Sequence, residues 1–149
     1  MSANLHNQDF YAWTNEQSRL LRAGQFENVD IVHLIEEVED MGSSIRRQLE
    51  SRLEVLLMHL LKWKYQSNLS GKSWLLTIAE QRRRINKLLR KNPSLKSVLD
   101  EAFLDSYEDA RYSAMLETGL DLATFPEESP FTLAQTMDTE FLPEAKDSL

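Results

Sequence analysis

The stretch Asp30–Trp63, DIVHLIEEVEDMGSSIRRQLESRLEVLLMHLLKW, decides how this chain folds. Ile31, Leu34, Ile35, Val38 and Met41 recur at spacings of three and four, the period that gathers side chains into one stripe of a helix. Asp30 stands in front of them as an N-cap, its carboxylate able to accept from the free N–H groups of the first turn. Beyond Gly42 a second stripe follows: Ile45, Leu49, Leu53, Leu56, Leu60 and Trp63, joined by Leu57 and Leu61. From Val55 onward nearly every direction around the helix is apolar, which requires neighbours on all sides. The pattern predicts one long helix, or two end to end with Ser43 or Ser44 capping the second. Gly inside a helix costs about 1 kcal/mol against Ala, a cost that a long packed helix tolerates. In either form the second half is the expected axis of an all-α bundle, and the stripe Ile31–Met41 is expected to face the core.

Working outward, the N-terminal side predicts a helix over Asp9–Ala23, capped by Asp9 or Asn7 and closed by Gly24. Phe10, Trp13, Gln17, Leu20 and Leu21 form its stripe, and Gln25–Val29 a short connection. On the C-terminal side, Gln66–Gly71 leads into a helix over Lys72–Lys91 with Trp74, Ile78, Gln81, Ile85 and Leu88 or Leu89 inward and its arginines mostly outward. Asn92-Pro93 breaks that helix, and Ser94 is the expected cap of the next, which runs to about Glu117 and stops at Gly119. Leu95, Val98, Leu99, Ala102, Phe103, Ala110 and Ala114 form its stripe. After Leu120 three prolines punctuate the chain, Thr132–Met137 alone reads as helical, and Phe125, Phe131, Phe141 and Leu142 are too apolar for a free tail. The expectation is a single domain over 1–149 of about four to five main helices. A C-terminal segment lies across it, with a core over about 9–143 and a loose end over 144–149.

Composition narrows the function. No cysteine is present, so disulfides, thiolate nucleophiles and Cys-based zinc sites are excluded. The N-terminus lacks the basic start and apolar run of a secretory signal. The apolar run Val55–Leu61 is interrupted by His59 and far shorter than the roughly 20 residues that span a bilayer. These features give the cytoplasm as the expected location and no membrane contact. The net charge of −7 is unevenly distributed. Cations collect in Lys72–Lys96, and acids in Glu27–Asp40 and after Asp100.

Several words, DFYAWTNEQSRLLRAGQF, HLIEEVEDMG, RRQLESRLEVLLMHLLKW, KSWLLTIAEQRRRI and the closing FP, SPFT and FLP, resemble in that order the bacterial family catalogued as domain of unknown function 29. The resemblance covers about Asp9–Pro143. It implies an all-helical domain, and it brings no established activity and no catalytic residues.

Chemistry must therefore be read from the residues. His33, Glu36, Glu37 and Asp40 stand at i, i+3, i+4 and i+7, and Asp105, Glu108 and Asp109 at i, i+3 and i+4. Imidazole and carboxylates presented from two helices are the ligand types that hold a divalent metal, Mg or Mn, in helical bundles. Such an arrangement would serve a phosphate-ester or nucleotide hydrolase. It resembles loosely the paired carboxylates of all-α nucleotide pyrophosphatases, but the acidic pairs here are much farther apart in the chain and the surrounding words differ. The bland alternative is two solvated acidic faces, because like charges at i, i+4 cost only a few tenths of a kcal/mol. His59, among Val55, Leu56, Met58 and Leu60, reads first as a core histidine, with Gln81 a candidate polar neighbour. Arg83, Lys87 and Arg90 share one face and form a candidate anion-binding surface. Nucleic acid is the less favoured partner, because the acidic remainder of the chain repels phosphates. No Gly-rich phosphate loop occurs. The preferred reading is a non-enzymatic interaction or regulatory protein, with a protein partner or a second copy of itself as its ligand; the metal-dependent hydrolase is the alternative.

Overall fold

The computed structural model describes residues 2–66, 68 and 71–145, so parts of the expected connection Gln66–Gly71 and of the loose end lie outside the described residues. The protein is all-α: no strand occurs among the described residues. The helices are α1 (Ser2–Gln8), α2 (Phe10–Arg22), α3 (Ile31–Tyr65), α4 (Lys72–Lys91), α5 (Leu99–Thr118) and α6 (Leu133–Met137). The 35 residues of α3 run through Gly42 without interruption, which decides between the two forms that the pattern allowed. A Cβ at Gly42 would meet nothing within 4 Å, so no neighbouring element forces glycine there. No helix among the described residues is long and apolar enough to cross a membrane.

The chain divides into two compact units, residues 1–45 and 46–149. The first contains α1, α2 and the beginning of α3. Asp9 caps α2 by accepting from the Ala12 amide at 3.0 Å. The helix ends before Gly24, whose φ of 72° is the left-handed conformation that glycine adopts without strain. Only Trp13, Gln17 and Leu20 of α2 are buried. The stripe Ile31–Met41 does not enter a core. Ile31, Ile35, Val38 and Met41 are 54%, 52%, 54% and 60% exposed, and Phe10 and Leu21 of the α2 stripe are also exposed. The physical reason is a shortage of partners: within this unit α3 has only α1 and α2 to pack against, too few to cover its apolar arc.

The second unit is a packed bundle. Leu49, Leu53, Leu56, Leu57, Leu60 and Leu61 of α3 are fully buried, as nearly all-round apolarity requires. Around them α4 supplies Ile78, Ile85 and Leu88, while α5 supplies Ala102, Phe103, Tyr107, Ala110 and Ala114. The small alanines let α5 come close. Ser106 Oγ reaches the Glu50 carbonyl of α3 at 3.1 Å. The expected start of α5 at Ser94 is corrected: Pro93–Ser97 is a 3-10 turn and the α-helix begins at Leu99. Ser97 Oγ donates to the Ser94 carbonyl and the Val98 amide to that of Leu95, so both oxygens are held in short-range bonds. At the other end Gly119, with φ 74°, closes the helix as expected.

The C-terminal segment lies on this bundle through Phe125 and Phe131, 0% and 3% exposed. Phe141 meets Phe131 edge to face at 6.1 Å, and Leu142, 39% exposed, lines a small cleft with Leu75 and Ile78 of α4. Thr132 caps α6 in a capping box with Gln135. Further bonds tie the segment down: Arg111 donates to the Phe125 carbonyl at 2.9 Å and Tyr107 Oη to the Pro126 carbonyl at 2.5 Å. Arg83, Arg84 and Arg90 of α4 are exposed as expected, and Arg82 is the exception. It is 2% exposed and donates through Nε to the Thr136 carbonyl at 2.8 Å.

Candidate functional site

In the first unit, polar side chains converge beside an open apolar surface. Asp30 is the hub. Its Oδ2 accepts from Trp13 Nε1 at 3.0 Å and from His33 Nδ1 at 2.7 Å, while its own amide donates to Gln17 Oε1 at 2.7 Å. Burial works against the Asp30 charge, but the bonds from His33 and Trp13 outweigh it and hold the carboxyl below the usual carboxylate range. The His33 ring stacks on His6 with centroids 4.1 Å apart and planes 11° from parallel. His6 Nε2 in turn meets Glu37 Oε1 at 2.7 Å, a bond that raises the pKa of this imidazole. The Gln17 amide has its oxygen satisfied, while its buried Nε2 has no partner among the described residues.

This arrangement fixes α1 and α2 against the first two turns of α3. It also fixes one wall of a groove of about 530 Å³, lined on one side by Phe10, Trp13 and Leu21 and on the other by Leu34, Glu37 and Met41. The exposed side chains of Ile31, Ile35 and Val38 continue the apolar surface along α3. At 100° per residue, Glu39 adjoins the Ile35 edge of the apolar strip and Glu36 lies beyond it, so carboxylates follow one side of the strip, whereas Asp40 falls on the far side of α3.

The residues singled out from sequence separate into different environments. His33 and Glu37 are committed to Asp30 and His6, while Glu36 and Asp40 are exposed. Asp105, Glu108 and Asp109 are exposed on α5, and Glu108 edges an open groove of about 540 Å³ that also contains Arg111, Glu127 and Glu128. Among the described residues, no three His, Asp or Glu side chains are grouped so as to hold a metal ion. His59 Nδ1 donates to the Val55 carbonyl at 2.9 Å, and burial lowers its pKa. Gln81 Oε1 accepts from Arg52 at 3.3 Å. Arg83 is occupied by Glu80, whose two oxygens it meets at 2.8 and 3.1 Å. Together with Arg84 it holds the Glu80 pKa at about 2. Lys87 lies in a cleft with Arg52, Arg84 and Lys91, and Arg90 is exposed outside it.

Two functional-looking residues escaped the sequence reading. His6 lies in a segment with no helical periodicity, and only its stacking on His33 and its edge contact with Trp13 at 4.7 Å give it a place. Lys62 is 7% exposed on the apolar half of α3, held by Glu117 at 3.0 Å and lying 4.6 Å from the centre of the Trp74 ring. Its ion pair and its ring contact make it a structural cation.

The family model for domain of unknown function DUF29 matches residues 5–142, and the chain belongs to that family. No curated protein and no solved structure matches it.

Proposed function

We propose that this member of the DUF29 family is a non-enzymatic binding module whose first unit docks a basic amphipathic helix of a partner protein. The observation that carries this reading is the apolar strip on α3, where Ile31, Ile35, Val38 and Met41 are each more than half exposed. Apolar side chains placed in one contiguous strip, unlike scattered ones, mark an interaction surface. The groove beside Phe10, Trp13 and Leu34 provides room for large anchors, and a helix presenting residues at i, i+3, i+4 and i+7 matches such a surface. Charge selects the occupant. Glu39 borders the strip with Glu36 beyond it, so a helix with Lys or Arg on that flank gains attraction, whereas a second copy of α3 would set acids against acids.

The metal-dependent hydrolase has no comparable support. His33 and Glu37 already have protein partners, and although Glu108 shares an open groove with Arg111, Glu127 and Glu128, no three His, Asp or Glu side chains among the described residues are grouped so as to hold a metal ion. The test is fluorescence anisotropy with a labelled Leu/Lys amphipathic peptide and its Leu/Glu counterpart. The Leu/Lys peptide is expected to bind, the Leu/Glu peptide to bind at least tenfold more weakly, and Val38→Asp to abolish the difference. Equal binding of the two peptides, or binding untouched by Val38→Asp, refutes the reading. Dimerisation seen by light scattering and abolished by Val38→Asp replaces the partner helix with a second copy of the chain.

A further inference from the structure

The second unit contains a concentration of positive charge of which Glu80 pairs only part, through Arg84. A cleft of about 220 Å³ opens between α3 and α4, lined by Gln48 and Arg52 from the first and by Arg84, Lys87, Leu88 and Lys91 from the second. Helical spacing explains the convergence: Gln48 and Arg52 stand at i, i+4, while Arg84, Lys87, Leu88 and Lys91 stand at i, i+3, i+4 and i+7. Among the described residues, no carboxylate lines the cleft. Arg84 has one bond, from Nε to Glu80 at 2.5 Å, and Arg52 donates to the neutral Gln81. Lys87 and Lys91 have no ion pair or hydrogen bond among the described residues. Arg83, by contrast, has both its Nε and an Nη bound by Glu80.

In a chain of net charge −7, acids were available to pair these side chains, yet like charges face one another across the cleft. Their mutual repulsion is relieved by an anion from outside. We propose that this cleft binds a small phosphorylated ligand carrying two adjacent phosphoryl groups. Two guanidinium groups, from opposite walls, offer planar forks that match phosphoryl oxygens, and the two lysines add compact charges beside them. A volume of about 220 Å³ takes a pyrophosphate-sized group but not the stacked bases of an extended nucleic-acid strand. The apolar Leu88 and the neutral Gln48 amide leave room for an uncharged portion of the ligand.

The test is calorimetry of the full chain at low salt with inorganic pyrophosphate, inorganic phosphate and a single-stranded oligonucleotide. Pyrophosphate is expected to bind at least tenfold more tightly than phosphate. Lys87→Gln, on an exposed side chain that leaves the fold intact, is expected to weaken it at least fivefold, and Arg52→Gln more. Arg90→Gln, which removes a cation of the same helix outside the cleft, is expected to change it by less than twofold. An equal loss from Arg90→Gln and Lys87→Gln overturns the proposal, since the attraction would then belong to the whole helix. So does an oligonucleotide that binds more tightly than pyrophosphate, or the absence of pyrophosphate binding at millimolar concentration.

Discussion

Replacing Arg82 with Met isolates a balance that the structure sets between a buried charge and the carbonyls it satisfies. Arg82 lies in the middle of α4, 2% exposed, and donates to the Thr136 carbonyl at 2.8 Å and, weakly, to that of Gln135 at 3.5 Å. Both acceptors lie at the C-terminal end of α6, where carbonyls lack helical partners and favour a cation. Met preserves the apolar stem, so the substitution removes the guanidinium alone. Loss of a hydrogen bond to a charged group costs about 1.5–3 kcal/mol, which already includes the desolvated carbonyl left behind. Against this stands the relief of taking the guanidinium out of a buried position, for burial pushes the Arg82 pKa down, with Asp138 offsetting it only in part. A buried charge replaced by an apolar side chain is at times neutral or stabilising. Among the described residues no ion pair accompanies the guanidinium, and Thr136 is 0% exposed, so its carbonyl finds no water. The carbonyl therefore dominates, and the net loss should be about 1–3 kcal/mol. Arg82→Ala removes two more methylenes at about 0.8 kcal/mol each and leaves a cavity, for a total of about 3–5 kcal/mol. Urea denaturation followed by circular dichroism, with unchanged m-values, reads both. Because a lowered arginine pKa still leaves the group charged between pH 5 and 9, the loss should be flat over that range. Arg82→Met as stable as the parent protein refutes the reasoning, for it means that desolvation of the guanidinium outweighs its bonds.

Two further outcomes are expected. The pKa of His6 is raised by Glu37, so its contribution is fully present below its unfolded pKa of 6.5 and is lost as pH rises through the higher folded value; the pKa of His59 is lowered by burial, so its contribution is present above 6.5 and is lost as pH falls toward the lower folded value. Imidazole NMR should find His6 titrating above 6.5 and His59 below it, and the reverse order contradicts both assignments. Gly42→Ala should stabilise by about 0.5–1 kcal/mol, because the position is mid-helix with open space around the added carbon. Gly119→Ala, at φ 74°, should destabilise by about 1–2 kcal/mol, and thermal melts that rank the two variants the other way remove the distinction between the sites.

Helical period alone placed α2, α4 and most of α3, because Leu49, Leu53, Leu56 and Leu60 leave no other arrangement that hides them. The same period misread Ile31, Ile35, Val38 and Met41. A stripe specifies which side of a helix is apolar, but not whether the chain supplies something to cover it. The sequence does contain a difference between the two halves: acids crowd Glu36–Asp40, whereas Val55–Leu61 is apolar all round. Arg82 was legible in principle, since it stands four residues after Ile78 and three before Ile85, on the buried face that the pattern assigned to Gln81. The cleft of Arg52, Arg84, Lys87 and Lys91 was half legible. Spacing marks Lys87, but the contribution of Arg52 depends on how α3 and α4 pack, and the loss of Arg83 on a rotamer that favours Glu80.

The two proposed sites lie in different units and use charge in opposite senses, which makes them separable. An acidic border selects a basic helix by electrostatics, but the energy of docking comes from covering Ile31, Ile35, Val38 and Met41, an apolar term that salt does not screen. The cleft of Arg52, Arg84, Lys87 and Lys91 is open to solvent and attracts by charge almost alone. Raising ionic strength past the point where the Debye length falls to about 3 Å should therefore extinguish pyrophosphate binding while leaving most of the helix docking in place. The net charge of −7 does not define either site; what matters is that its acids are placed beside an apolar strip in one unit and kept out of a cation-lined cleft in the other.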